Sequence, residues 1–268
     1  MAVGEGRPAV TEPADFAGRA GAALVTGGSG AIGAAIAHLL AARGAAVAVS
    51  YRSRPEPAEA LVESLREAGA EAAAWPAELT DADSARALGE AAVERFGAVH
   101  TLVHAAGPHI PQAHLSQIEP ATMRRHLDQE AAAFFNVAQP LLTELRARQG
   151  SIVAVTTAAT RRYPSRDGLS AGPKAAVEAL VRGIAAEEGR FGLRANCVGP
   201  GMLSDGMAER LIASGELDER ALAAARVSIP LRRFGSATDI AEAVCFLASD
   251  RAAFITGQKL DLDGGYTV

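Results

Sequence analysis

The residues best suited to chemistry gather first in Val25-Thr26-Gly27-Gly28-Ser29-Gly30-Ala31-Ile32-Gly33. Glycines at this spacing let a backbone approach a pyrophosphate closely. Ser29 and the amides of Ala31, Ile32 and Gly33, at the head of a helix, then face its charge. Such a turn needs a buried strand before it and a helix after it. Ala22–Val25 is an apolar run, and Ala34-Ala35-Ile36-Ala37-His38-Leu39-Leu40 follows at helical spacing. A plain strand-to-helix turn has the same look, so this stretch alone leaves nucleotide binding open.

A second group closes the next strand. Ala46-Val47-Ala48-Val49-Ser50-Tyr51 is followed by Arg52-Ser53-Arg54-Pro55, with no acid before Glu56. An acid at this place binds the ribose hydroxyls of NAD, whereas an arginine accommodates the 2′-phosphate of NADP. Arg52 offers a forked, permanently charged donor set, with Ser53 beside it, which favours NADP(H). The plainer alternative is that Arg52 and Arg54 are solvated surface charges.

Strands and helices must position these groups, and they alternate along the chain. Strands are expected at 22–26, 46–51, 72–75, 101–104, 151–156, 194–198 and 259–262. Helices are expected at about 31–43, 56–68, 81–96, 120–148, 170–190 and 237–249, with a helical excursion over 204–226 that could form a mobile lid. Strand, helix and short link in rotation give an α/β fold: a Rossmann-type doubly wound parallel sheet with helices on both faces. Residues 1–18 carry prolines, glycines and acids without periodicity and read as a flexible extension. Residues 19–268 read as a single domain.

Composition removes several function classes. The 268 residues hold 26 basic and 31 acidic side chains, a net charge of −5, with no basic block longer than a pair. That gives no support to nucleic-acid or membrane-surface binding. No apolar run reaches membrane-spanning length and no signal pattern opens the chain, so a cytoplasmic protein is expected. Cys197 and Cys245 sit in apolar runs and read as reduced packing residues. The histidines show no metal-ligand spacing backed by cysteine or carboxylate, so no metal is expected. His104 ends a strand, either against a cofactor or in a structural hydrogen bond, and His109 and His114 lie in a loop that could line a substrate pocket.

Over residues 19–268 the sequence resembles the short-chain dehydrogenase/reductase family. Thr26-Gly27 through Ala31-Ile32-Gly33 is similar to its glycine-rich turn, and His104-Ala105-Ala106-Gly107 stands where its NNAG lies. Asn196-Cys197-Val198-Gly199-Pro200-Gly201 matches its N-x-V-x-P-G, and the tail from Ile229 to Gly265 matches its closing segment. The resemblance implies seven parallel strands, a nicotinamide cofactor across their C-terminal edge, and a homotetramer or homodimer. It also implies that Glu78 and Leu79 lie at the adenine, that Ala105, Ala106 and Gly107 line the cofactor, and that Pro200, Gly201 and Leu203 lie near the carboxamide.

The family's catalytic Ser, Tyr, Lys and Asn are only partly matched. Aligned on Lys174, the tyrosine position holds Ser170, the serine position Thr157 and the asparagine position Glu130. A phenol with pKa about 10, lowered by a neighbouring lysine, can protonate a carbonyl oxygen; a serine hydroxyl is a far weaker acid. Thr157 keeps a hydroxyl for the substrate oxygen, and Glu130 could pair with Lys174 or with a water. Ser170-Ala171-Gly172-Pro173-Lys174 is similar to the 2,4-dienoyl-CoA reductase branch, in which hydride goes to a conjugated C=C and fixed donors stabilise the thioester oxyanion. Tyr163 could reach the cleft as a donor or pack on the surface, and Arg161 and Arg162 could meet a CoA phosphate or stay solvated.

Three functions follow. The first is NADPH-dependent reduction of the activated C=C of an enoyl or dienoyl thioester, carried by CoA or a carrier protein. There Lys174 holds the nicotinamide ribose, and Ser170 and Thr157 act as donors. The second is a 3-oxoacyl ketoreductase or alcohol dehydrogenase with a rewired proton donor, Tyr163 or Glu130. The third is a nucleotide-binding protein without catalysis.

Overall fold

A computed structural model describes residues 14–204, 223 and 225–268. Its strands are β1 (Ala22–Thr26), β2 (Ala46–Tyr51), β3 (Ala72–Pro76), β4 (Val99–His104), β5 (Ser151–Val155), β6 (Arg194–Pro200) and β7 (Lys259–Leu262). They form one sheet in the order β3-β2-β1-β4-β5-β6-β7, every pair parallel. The chain leaves β1 in one direction to reach β2 and returns on its other side as β4. At that reversal a crevice opens beyond the C-terminal ends of the strands.

The helices are α1 (Ala31–Ala42), α2 (Pro55–Glu67), α3 (Ala82–Phe96), α4 (Pro120–Leu127), α5 (Ala133–Ala147), α6 (Gly168–Glu188) and α7 (Ala237–Ala248). They cover both faces, which is why β1, β4 and β5 are buried at every residue, without alternation. Ile36, Leu40, Leu65, Ile240 and Val244 pack on one face. Leu88, Phe134, Leu141, Val181 and Leu193 pack on the other. Local signals set the ends of the helices. Asp81 Oδ1 accepts from the Ser84 amide at 2.8 Å to start α3, Gly97 closes it in the left-handed region, and Ser236 and Asp239 form a reciprocal cap on α7.

The structure departs from expectation in three places. Residues 14–18, assigned above to the extension, belong to the body. Phe16 is fully buried, its amide donates to the Arg43 carbonyl at 3.0 Å, and its ring stacks on His100 with centroids 6.0 Å apart. One aromatic anchor in a polar stretch leaves no periodic trace. β4 begins at Val99 because Val99 pairs with Ala22 across an irregularity in the β1 register. The helix expected over 120–148 runs as α4 and α5 joined by a π-helical segment, Asp128–Ala132. Most of the expected lid, 204–226, lies outside the described residues. No helix among the described residues is long and apolar enough to cross a membrane.

Candidate active site

The glycine turn is held by contacts that no side chain could share. Gly27 has φ +69°, and a Cβ there would meet Ala106 Cα at 2.7 Å. A Cβ on Gly28 would stand 2.8 Å from Val49, and one on Gly33 would overlap the Gly27 carbonyl oxygen. A Cβ on Gly30, by contrast, would meet only the Gly27 carbonyl oxygen, at an ordinary 3.4 Å. It caps α1 with no side chain, and no acid occupies the first turn. The amides at Ala31, Ile32 and Gly33 are therefore free to meet an anion.

Around this turn lies a cleft of about 350 Å³. Gly27, Ser29 and Gly30 form one wall, the 50–54 segment at the end of β2 and beyond it a second, and 77–80 after β3 a third. Ala105–Pro108 after β4, with Gln129 and Ala133, complete it. Arg52 and Arg54 line the cleft beside Ser53 and make no ion pair or hydrogen bond with the described residues, so their charges are unspent. Glu78 lies on the wall, where its Oε1 accepts from the Thr80 hydroxyl at 2.8 Å. Leu79 is buried beside it, and its carbonyl accepts from Asn136 Nδ2 at 3.0 Å.

Not every expected cofactor residue lines this cleft: Ala31, Ile32, Gly33, Lys174, Pro200, Gly201 and Leu203 are outside its lining. Pro200 ends β6, the Gly201 amide donates to the Leu262 carbonyl at 2.9 Å, and Leu203 bridges to Gly235. Tyr51, Thr80 and Gln129 line the cleft without having been singled out. Their signal was adjacency to residues that were.

The neighbouring part of the crevice is built by α6 and the π-helical segment. Lys174 Nζ donates to Glu130 Oε2 at 2.9 Å, and Glu130 is 1% exposed. Of the two roles open to Glu130, pairing with Lys174 is the one observed. Its Oε1 has no partner and backs onto Gly107, where a Cβ would come within 3.1 Å. His104 is buried with Nδ1 3.0 Å from Thr26 Oγ1, and its ring meets Phe134 edge-on. Burial, then the Lys174 charge, lowers its pKa to about 3, so the imidazole is neutral. His104 makes the structural hydrogen bond.

Two hydroxyls stand ready as donors. Thr157 Oγ1 accepts from the Ala159 amide at 3.2 Å, which leaves its proton free to point elsewhere. Ser170 is buried one helical turn before Lys174. Tyr163 is half-exposed at the rim, its hydroxyl over Gly168, and it bonds neither Ser170 nor Lys174. Arg162 bonds the Tyr266 carbonyl and lies 4.5 Å over its ring, while Arg161 faces Asp261 at 3.9 Å. Both arginines thus hold the C-terminal segment. His109 and His114 are exposed in their loop, and His126 is buried on α4. Burial pushes the Cys197 thiol up to about 12, consistent with packing. The described residues contain no cluster able to hold a metal.

Asp167 escaped the sequence reading. It holds the N-cap position of α6, and its Oδ1 accepts from Gln112 Nε2 at 3.2 Å. Gln112 lies far away in sequence, so no local pattern announced the contact.

The chain is similar to known proteins over most of its length. A family model described as enoyl-(acyl carrier protein) reductase matches residues 27–267. A 3-oxoacyl-[acyl-carrier-protein] reductase of Staphylococcus aureus is 36% identical over 245 residues, covering 91% of this chain and 96% of that protein. A cis-4-hydroxycyclohexanecarboxylate dehydrogenase of Sinomonas cyclohexanicum is 36% identical over 246 residues, with the same coverage of 91% and 96%. Among solved structures, a Serratia marcescens short-chain dehydrogenase/reductase superposes with a TM-score of 0.85 at 29% identity, covering 95% of this chain and 100% of that one. A blue fluorescent protein from a metagenomic library, in complex with NADPH, gives 0.85 at 31% identity over 95% of this chain and 100% of that one.

Proposed function

The chain belongs to the short-chain dehydrogenase/reductase family of oxidoreductases, and from that premise we propose that it reduces the 3-oxo group of an acyl thioester with NADPH. The observation that carries the reading is the pair of unspent guanidiniums, Arg52 and Arg54, across the cleft from the uncapped head of α1. Two cations at the end of β2 fit a ribose 2′-phosphate, and the free amides fit a pyrophosphate. The NADPH complex of the metagenomic relative supports the same cofactor.

In this reading Arg52, Arg54 and Ser53 hold the 2′-phosphate. Ser29 and the amides of Ala31–Gly33 hold the pyrophosphate, Glu78 and Leu79 flank the adenine, and Ala105–Gly107 form the floor. Pro200, Gly201 and Leu203 border the carboxamide. Bound NADPH supplies a hydride to the substrate carbon. Thr157 and Ser170 donate hydrogen bonds to the substrate oxygen as negative charge grows there, and Lys174, fixed by Glu130, stabilises that charge. Both curated relatives named above interconvert or reduce oxygen-bearing carbons by name, which favours C=O over C=C.

One observation favours the enoyl or dienoyl reading as second. Position 170 carries no phenol, and reduction of a C=C needs its proton at carbon, not at oxygen. The carrier-protein reductase relative supports a substrate presented as a carrier-protein thioester, with CoA as the alternative. Assembly as a homotetramer or homodimer is supported by the exposed Leu127 and Phe135 on the outer side of the α4–α5 helix.

NADPH oxidation with acetoacetyl-CoA against crotonyl-CoA tests the proposal. Turnover of the first with the second inert supports it, and the reverse transfers the assignment to C=C reduction. NADPH binding without turnover of either would mean a binding protein. Absence of NADPH binding would remove the whole reading.

A further inference from the structure

Lys259 on β7 gathers side chains from three elements, none of which lines the cofactor cleft. Its Nζ donates to the Thr160 hydroxyl and forms ion pairs with Glu178 Oε1 at 3.3 Å and Asp261 Oδ1 at 2.9 Å. An ammonium carries three protons, and three acceptors surround this one. The Glu178 and Asp261 side chains are each 9% exposed and that of Lys259 is 15% exposed, so the charges lie largely out of water. Arg161, 3.9 Å from Asp261 Oδ2, adds a second cation at the edge.

The backbone explains the convergence. β6 pairs with β7 so that Cys197 lies beside Lys259 and Gly199 beside Asp261. Lys259 and Asp261, two residues apart, share the face of β7 that Glu178 of α6 reaches. Gly199 leaves the room they need. A Cβ there would overlap Asp261 Oδ1 and stand 2.6 Å from Lys259 Cε and 3.2 Å from the Thr157 carbonyl carbon. Lysine stem, aspartate and the Thr157 backbone thus crowd one small volume.

Thr160 carries the link onward. Its hydroxyl oxygen, which accepts from Lys259, lies 2.8 Å from Glu178 Oε1 and 3.2 Å from the Thr157 carbonyl oxygen, the two acceptors open to its proton. Thr157 begins this turn, Ala158–Thr160, and its Oγ1 accepts from the Ala159 amide. Glu178 stands one turn beyond Lys174 on α6, so the network ties the turn to the helix that carries Ser170 and Lys174. Buried charges cost desolvation that apolar side chains of similar volume would avoid. Satisfied on every side, however, such a network holds its members in one arrangement.

We propose that Lys259 is a positioning residue of this site. With Glu178 it clamps Thr160, and through that turn it sets the Thr157 hydroxyl relative to Ser170 and Lys174. The proposal rests on the reading above, in which Thr157 donates to the substrate oxygen. The network gives up no proton during turnover. Its effect is geometric, and misplacing a reacting group by an ångström can cost about 100-fold in rate.

Thr160→Val keeps the shape, deletes the hydroxyl and leaves both ion pairs, so it cuts the link without stranding a charge. The expected result is a fall in kcat of roughly tenfold with acetoacetyl-CoA, NADPH affinity unchanged, and recovery to within about threefold in Thr160→Ser. In a Thr157→Val background, Thr160→Val should cost nothing further, because the hydroxyl it positions is already gone. Lys259→Met combined with Glu178→Gln and Asp261→Asn removes the charges together, and kcat should fall at least as far. Retention of kcat within about threefold in Thr160→Val or in the triple variant would overturn the proposal. So would an equal loss in Thr160→Ser, or a loss that adds in full to that of Thr157→Val. A second readout needs no turnover: amide hydrogen exchange at Ala159, whose N–H is held by Thr157 Oγ1. Exchange there should quicken about tenfold or more in Thr160→Val while the amides of β5 stay as they were. If the intact protein reduces no thioester, the functional reading fails separately. The positioning is then judged by exchange alone, and an Ala159 amide unmoved by Thr160→Val overturns it.

Discussion

Lys174 Nζ and Glu130 Oε2 meet at 2.9 Å and tie the middle of α6 to the π-helical segment Asp128–Ala132. A π segment shifts the helix register where it occurs and is common at functional sites. Here it carries the carboxylate that fixes the lysine. Removing one partner of a buried pair strands the other charge, at a cost of about 3–5 kcal/mol, whereas replacing both with apolar groups is often neutral. Lys174→Met alone is expected to lower stability by that order. Adding Glu130→Leu should restore most of it in urea unfolding without restoring turnover. A double variant as unstable as the single one would contradict this account of the pair.

Arg52 is expected to discriminate between cofactors. A charge-assisted hydrogen bond contributes roughly 1.5–3 kcal/mol, one to two orders of magnitude in affinity. Arg52→Ala should weaken NADPH binding by about that factor in fluorescence titration and leave NADH binding nearly unchanged. Equal losses for the two cofactors would show that Arg52 does not read the 2′-phosphate.

The sequence alone marks the glycine turn and the residues that follow β2. Glycines between a buried strand and a helix mark the turn but not its use, which a plain connection would share, and Arg52 is marked by its place just after β2. Lys174 and Glu130 were visible as residues, but their contact is a matter of tertiary packing across 44 positions. Phe16 was missed because a single ring in a polar stretch has no period, and Asp167 because its partner Gln112 lies 55 residues away. The π-helical segment has the composition of ordinary helix, so nothing local distinguished it. Ser170 pointed toward C=C reduction, while the named relatives point toward C=O, because one missing phenol constrains the proton and says little about the carbon.

Gly107 presses on the same carboxylate from the other side. A Cβ there would lie 3.1 Å from Glu130 Oε1, close enough to displace it by a few tenths of an ångström. Gly107→Ala is expected to lower kcat roughly tenfold through a misplaced Lys174, with a stability cost of about 1 kcal/mol. Shortening the neighbour in Gly107→Ala with Glu130→Asp should recover part of kcat. No recovery, or no loss in the first variant, would break the proposed link.

Stability should depend on two buried histidines. Burial first, with nearby cations second, lowers His100 from 6.5 to about 4 and His104 from 6.5 to about 3. Folding therefore favours their neutral forms, while the unfolded chain takes up both protons near the ordinary value. Their contribution is fully present above pH 6.5 and is lost as pH falls, by about 1.4 kcal/mol per pH unit for each histidine until its folded pKa is reached. His104→Asn can keep a hydrogen bond to Thr26 and carries no titrating group. Urea unfolding of the intact protein between pH 5 and pH 6.5 should show stability falling with acid, and the variant should fall less steeply. Parallel slopes for the two proteins would mean that His104 is not held neutral by the fold.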